Sequence, residues 1–276
     1  MKIFDCFPFF DEISLLDMRI NYLKNVVDKF VIVEGTHSHQ GKIKKLYYDE
    51  NKSLFKKYEK KIIHVIQDSY PKHLGDTHST FINDYYTRNG ISKGLTECLD
   101  NDIILISDVD EFPDIDKFKL FNGNLTVFKQ VMFYFKLNLR VRNFDHDSGD
   151  GLWPGTRMLN FKLFKKISDV QKIRNFKAKK YGWWRFDKPR LNIINYGGWH
   201  FRFFGSSKNL KHELENRSIG RGENILSSYS ELDINNIIKN RLPFTTEEER
   251  YEVYPLSKMP DFVKLNKERY IDSLII

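Results

Sequence analysis

Cysteine is almost missing from this 276-residue chain: only Cys6 and Cys98 occur, and neither belongs to a CxxC pair or a spaced ligand set. That argues against a disulfide framework and a structural zinc site, and it points to a reducing compartment. Long apolar runs are lacking as well. No stretch approaches the roughly 20 residues needed to span a bilayer. The segment Met1 to Glu12 carries Asp5 and Asp11 where a signal peptide has uninterrupted apolar residues. There is no internal repeat and no low-complexity tract, and the apolar content is not depleted in the manner of a disordered chain.

What is present is material for a large core, since 41% of the residues are hydrophobic and 15% aromatic. A chain of this length suits one continuous α/β core carrying a C-terminal extension. The net charge of +8 favours phosphate-bearing partners. The lysines, however, fall in short runs such as Lys44-Lys45, Lys56-Lys57, Lys60-Lys61 and Lys179-Lys180, the pattern of solvated faces. Nucleic acid is therefore not the expected partner, and contact with a membrane surface is at most peripheral.

Strands alternate with helices through the first half, which predicts an α/β fold with a mostly parallel central sheet flanked by helices. Strands are predicted at Lys2–Phe7, Phe30–Glu34, Lys61–Ile66 and Ile103–Ser107. Leu15, Leu16, Ile20 and Leu23 make the apolar stripe of a helix over Ile13–Val26, and Thr80–Leu99 suits a second helix with Arg88 in its middle. Aromatic strands follow around Leu125–Asn138 and Met158–Phe164. The residues after Gly197-Gly198-Trp199-His200 are polar and helical, and Phe262–Ile276 reads as an amphipathic terminal helix.

The buried run Ile103-Ile104-Leu105-Ile106-Ser107 delivers Asp108, Val109, Asp110 and Glu111 to the carboxyl end of a strand, where open α/β sheets place their ligands. Three carboxylates so close repel one another unless a cation or strong donors compensate, and hard oxygen ligands suit Mg²⁺ or Mn²⁺. The alternating spacing lets one carboxylate reach a metal while the other binds a metal-bound water or a sugar. A plainer reading is that the acids shape a turn before Pro113.

Four blocks carry a resemblance. Asp5-Cys6-Phe7-Pro8-Phe9-Phe10-Asp11-Glu12, Val27-Asp28-Lys29-Phe30-Val31-Ile32-Val33-Glu34, Ser107-Asp108-Val109-Asp110-Glu111-Phe112-Pro113 and Gly198-Trp199-His200-Phe201 resemble, in this order, glycosyltransferase family 17, the bisecting N-acetylglucosaminyltransferase family. The resemblance implies a nucleotide-diphospho-sugar transferase of the GT-A kind over residues 1–215, with residues 216–276 as a helical extension packed on the same domain. It implies that Asp108 and Asp110 hold the metal and diphosphate, that Glu34 lies near the uridine, and that Phe7 and Pro8 line the nucleotide pocket. Arg88 would pair with a phosphate or with Asp108, as guanidinium forks suit both. His200 is the candidate for the remaining protein metal ligand.

The resemblance further implies a UDP-sugar donor with Mn²⁺ or Mg²⁺, a glycan acceptor and inversion at the sugar carbon, the donor sugar expected being N-acetylglucosamine. Inversion requires a base for the acceptor hydroxyl. The candidates are Asp147, Asp145 and Asp150 around a Gly-rich loop, and Glu213. Trp153, Trp183, Trp184 and Trp199 offer flat faces to sugar rings, with Arg157 and Arg185 nearby. His37, His39, His73 and His78 lack the spacing of a zinc site. Because no anchor or luminal stem precedes the catalytic region, a cytoplasmic location in a microbial or viral glycan pathway is expected. Two alternatives are weighed against sugar transfer: a sugar nucleotidyltransferase, which also uses paired acids, and a noncatalytic carbohydrate- or nucleic-acid-binding protein.

Overall fold

The computed structural model describes residues 1–142, 151–179, 190–217 and 228–275. Strand β1 (Ile3–Phe9) sends Phe4 and Cys6 into one apolar layer and Phe7 and Phe9 into the other, following the two-residue period of a pleated strand. Helix α1 (Ile13–Leu23) covers the Phe7 layer with Leu15, Leu16, Met18, Ile20 and Leu23. Strand β2 (Lys29–Gly35) lies parallel to β1, and after the short helix α2 (Tyr47–Asn51) and a 3₁₀ stretch (Lys52–Lys61), strand β3 (Ile62–Gln67) extends the sheet.

Helix α3 (Thr77–Asn89) is capped by Asp76, whose carboxylate accepts from Ser79 N at 2.7 Å. It ends ten residues before the predicted Leu99. The chain there must pass close over β2: a Cβ on Gly90 would meet Val33 Cγ1 at 2.7 Å, and one on Gly94 would meet Val31 Cγ1 at 2.3 Å. Strand β4 (Ile103–Ile106) then enters beside β1, buried on both faces.

Beyond β4 the sheet becomes mixed, with antiparallel pairs beside parallel ones, so the α/β expectation holds throughout while the all-parallel run is confined to the first half. Strand β5 (Glu111–Pro113) is short, β6 (Leu125–Tyr134) is long, and β7 (Leu139–Val141) folds back on β6. Strand β8 (Trp153–Asn160) runs antiparallel to both β4 and β6, joining the two halves. Helices α4 (Phe161–Ile167) and α5 (Val170–Asn175) follow, then β9 (Leu191–Ile194) and β10 (Gly198–Arg202), both parallel to β6. The sheet order is β11-β7-β6-β8-β4-β1-β2-β3, with β9 and β10 attached to β6 and β5 to β10.

Helices α6 (Ser207–Asn216) and α7 (Glu231–Asn240) bury Leu210, Leu214, Ile234 and Ile237 against an aromatic cluster containing Phe135, Phe203 and Phe244. The region after residue 216 is not simply helical, because β11 (Tyr251–Val253) pairs with β7. Nor is Phe262–Ile276 one helix. It opens with the single turn α8 (Asp261–Lys264), which buries Val263 and packs Phe262 on Phe112 at 5.5 Å between ring centroids. A separate 3₁₀ turn (Ile271–Ser273) follows. Leu265 is 83% exposed, so the apolar stripe that a longer helix needs is broken one residue after α8.

Beneath the carboxyl end of the sheet, Arg19 on α1 is fully buried with Asp5, its Nε and Nη2 donating at 2.7 Å each. Its remaining nitrogen donates to the carbonyl of Glu111 at 2.5 Å and reaches those of Asp108 and Val109. One guanidinium therefore ties the helix layer to the turn between β4 and β5. Replacing Arg19 by Met leaves Asp5 buried and unpaired, and should destabilise the fold by about 3–5 kcal/mol in urea unfolding. A loss below about 1 kcal/mol would show that this ion pair does not hold the turn.

Candidate active site

A cleft of about 650 Å³ opens over the carboxyl ends of β1, β2 and β4. Its walls include Pro8 of β1, Phe10 and Glu12 after β1, His37, His39 and Lys44 after β2, Arg88 of α3, Asp108 and Asp110 after β4, Trp153 and Arg157 of β8, Arg174 of α5, His200 of β10 and Glu213 of α6. The acidic turn lies at its floor.

The carboxylates of that turn are compensated chiefly by arginine. Arg88 pairs with Asp108 through Nη1 while its Nε donates to Asp84 at 2.9 Å. Arg174 donates to the other oxygen of Asp108 at 3.0 Å and forks onto both oxygens of Glu111 at 2.6 and 2.7 Å. Trp153 Nε1 and the Asp108 backbone N–H complete the shell of Glu111, at 2.6 and 3.1 Å. Burial alone would raise the Asp108 carboxyl, but the guanidiniums of Arg88 and then Arg174 outweigh it and hold the group well below the usual carboxylate range. Bidentate charge-assisted bonds of this kind are the strong ones.

Asp110 stands apart from the arginines. The antiparallel register of β10 on β5 sets His200 opposite Glu111, and His200 Nε2 lies 3.0 Å from Asp110 Oδ2. That register depends on Gly198: its φ is +146°, and a Cβ there would sit 2.1 Å from the Phe112 carbonyl. Asp110 Oδ1 and His200 Nδ1 are both buried without a hydrogen-bond partner. Among the described residues there is no group of three or more His, Cys, Asp or Glu side chains suited to holding a metal.

Several expectations are corrected by this geometry. Asp108, expected as a metal ligand, has both oxygens occupied by guanidiniums. Phe7 is fully buried beneath Arg19, 4.8 Å from its guanidinium carbon, and is core and not cleft wall. Glu34 is also sealed from the cleft. Its carboxylate accepts from Tyr48 N, from Lys44 Nζ at 3.3 Å and lies 3.1 Å from His64 Nε2, so it reaches the cleft only through Lys44. Trp199 packs edge-on against Phe262 at 6.1 Å. Asp145, Asp147, Asp150, Trp183, Trp184 and Arg185 lie outside the described residues.

Other expected residues do meet in the cleft: Pro8, Arg88, Asp108, Asp110, Trp153, Arg157, His200 and Glu213. Sequence reasoning missed Arg174, Lys44 and Glu12. Arg174 belongs to a six-residue helix whose Val170 and Ile173 are buried, and nothing local separates it from the surrounding basic residues. Burial, and then the nearby charges of Asp11 and Glu213, push the Glu12 carboxyl up to about 8. Glu213 is raised too, by burial first and with a contribution from Asp110.

The profile of the family described as Glycosyltransferase family 17 matches residues 1–155. The human and rat proteins named beta-1,4-mannosyl-glycoprotein 4-beta-N-acetylglucosaminyltransferase are each 29% identical over 120 residues, 41% of this chain and 22% of theirs. The match thus spans less than a quarter of those relatives. Among solved structures, glucosyl-3-phosphoglycerate synthase from Mycobacterium tuberculosis, solved with Mn²⁺, UDP and phosphoglyceric acid, matches at 11% identity, with a TM-score of 0.36 over 92% of this chain and 87% of that one. The cytoplasmic location expected from the sequence is overturned by the sequence relatives, which are mammalian transferases named for a glycoprotein acceptor. Among the described residues no helix is long and apolar enough to cross a membrane.

The raised carboxyl of Glu12 has a consequence for stability. The folded value of about 8 exceeds the ordinary value of 4.5, so the unfolded chain releases this proton first, and stability falls as pH rises from about 4.5 through 8. Because the side chain borders a solvated cleft, the loss expected is on the order of 1–3 kcal/mol. Glu12→Gln should unfold at a higher temperature than the native chain at pH 8 and show much less advantage at pH 4.5. An equal difference at both values would contradict the assignment.

Proposed function

The chain belongs to glycosyltransferase family 17 and is a glycosyltransferase; from this premise we propose that its cleft transfers N-acetylglucosamine from a UDP-sugar to a glycan hydroxyl, with a divalent cation and with inversion, on a GT-A-like fold. The observation that carries the reading is the pairing of Asp110 with His200 beside a guanidinium-lined floor. A buried carboxylate oxygen without a partner in the cleft wall is a donor of the kind Mn²⁺ or Mg²⁺ takes, and the imidazole beside it is a common ligand of metals at large. The residues therefore fit a cation. Mg²⁺-type sites commonly take only one or two protein carboxylates and fill the remaining positions with water and substrate phosphate, which suits a site without a third protein ligand.

When bound, the cation would stabilise negative charge on the departing diphosphate. The chain's own part begins with Arg88 and Arg174, whose donors, held by Asp84, Asp108 and Glu111, would be shared with phosphate oxygens, since a guanidinium fork matches phosphate as well as carboxylate. Asp108 holds both at the floor, so their orientation costs nothing at the moment of reaction. Pro8 and Lys44 border the end of the cleft assigned to the nucleoside, with Glu34 fixing Lys44. Glu213 takes the proton of the acceptor hydroxyl. Its raised carboxyl supports this role, because a base whose pKa approaches the working pH transfers protons efficiently. Trp153, fixed by its bond to Glu111, offers a ring face to the acceptor sugar.

Sugar nucleotidyl transfer, weighed from the paired acids, and noncatalytic binding by the basic and aromatic surface are set aside by membership of the family. Incubation with a panel of UDP-sugars, a glycan acceptor and Mn²⁺ should release UDP and no pyrophosphate. Asp110→Ala and His200→Ala should each lower kcat/KM at least about 100-fold, a loss of about 2.7 kcal/mol of transition-state stabilisation, and should weaken Mn²⁺ binding in a calorimetric titration. Native-like activity and Mn²⁺ affinity in Asp110→Ala would overturn the proposal.

A further inference from the structure

Glu213 is presented by a helix that joins the molecule's two halves. On one side of α6, Leu210 and Leu214 are fully buried in the C-terminal aromatic cluster. At 100° per residue, His212 lies nearly opposite those leucines and Glu213 lies between. His212 faces the loop after β1: its Nδ1 is 2.7 Å from Asp11 Oδ2, and its ring stacks on Phe10 at 5.4 Å with planes 28° apart. The helix's last turn is tied to the loop after β2, where His39 N–H donates to the Asn216 carbonyl at 3.1 Å and Gln40 Nε2 to that of Arg217 at 2.9 Å.

The helix is thus clamped between the core on one side and a donor-side loop on the other, and the clamp on the loop side is a hydrogen-bonded pair that the proposed chemistry does not use. Asp11 sits between Phe10 and Glu12, both of which border the cleft. We propose that the Asp11–His212 pair is a positioning device that sets the roll of α6, and with it the placement of Glu213 against the acceptor hydroxyl. The inference rests on Glu213 as the base and adds the residues that aim it. His212 donates Nδ1–H to the Asp11 carboxylate, and its ring contact with Phe10 couples the helix to the wall that receives the donor. A displacement of about 1 Å at a reacting group costs on the order of 100-fold in rate, so the pair acts on kcat and leaves donor binding alone.

The experiment compares His212→Phe, which keeps a ring against Phe10 and loses the N–H, with Asp11→Ala, the double variant, His212→Asn and Glu213→Gln. His212→Asn places an amide nitrogen where Nδ1 stands. Expected are a 10- to 100-fold fall in kcat for transfer in His212→Phe and Asp11→Ala, a double variant no worse than either single one, and substantial recovery in His212→Asn. The donor KM, Mn²⁺ affinity and acceptor-independent hydrolysis of the donor should stay within about twofold of native in the four variants at Asp11 and His212. An inactive Glu213→Gln alongside fully active His212→Phe and Asp11→Ala would overturn the positioning role and leave the base intact. Full activity in Glu213→Gln would overturn the base assignment, and the positioning role with it. A parallel loss of donor binding, thermal stability and kcat in His212→Phe would show a merely structural contact and overturn the proposal.

Discussion

Carboxylates concentrated at the end of a buried strand must be matched by positive charge, and in this molecule the match is made by guanidiniums from two helices. Asp108 and Glu111 lie close together in one turn, Glu111 fully buried, and Arg88 and Arg174 pair with them. Arg174 bridges both acids while Arg88 holds only Asp108, so removing Arg174 is the costlier loss: it leaves the buried Glu111 with only the Trp153 and Asp108 N–H groups. Arg19 serves the same turn from below through its backbone carbonyls. Three arginines from α1, α3 and α5 thus converge on three residues of one turn, Asp108, Val109 and Glu111, and the packing of those helices on the sheet is at the same time the assembly of the site.

This compensation also separates two acids that look alike in the sequence. Asp108 is saturated and acts as the anchor of a cationic floor. Asp110, two residues later, escapes the arginines and meets His200. Each is placed by a neighbouring element: α3 and α5 claim the first, and β10, registered on β5 by the tight passage at Gly198, claims the second. The division sets a guanidinium-lined region of the cleft beside one where Asp110 Oδ1 and His200 Nδ1 are buried without a hydrogen-bond partner.

The part of this arrangement that was legible in the sequence is local. The buried apolar runs of β1, β2 and β4 and the stripe on α1 follow from residue patterns within about ten positions of one another, and the strand-terminal position of Asp108 follows from the apolar run before it. What was not legible depends on pairing between distant segments. Arg174 is unremarkable until α5 packs beside α3, and the antiparallel return of β8 and the addition of β11 are set by partners across the sheet. Glu34 and Phe7 were misread for one shared reason: a position near a ligand-bearing strand end does not say on which side of the sheet the side chain falls. Both point to the α1 layer, where Glu34 is consumed by Tyr48, His64 and Lys44.

The central claim is that the guanidinium floor which neutralises Asp108 and Glu111 is also what receives the donor's diphosphate. Calorimetric titration of UDP and of uridine into the native protein and into Arg174→Lys tests it most directly, because lysine keeps the charge and loses the fork. The account requires UDP affinity to fall at least about tenfold, or 1.4 kcal/mol, with uridine affinity unchanged and the fold intact. Equal UDP affinity in the two proteins would contradict it.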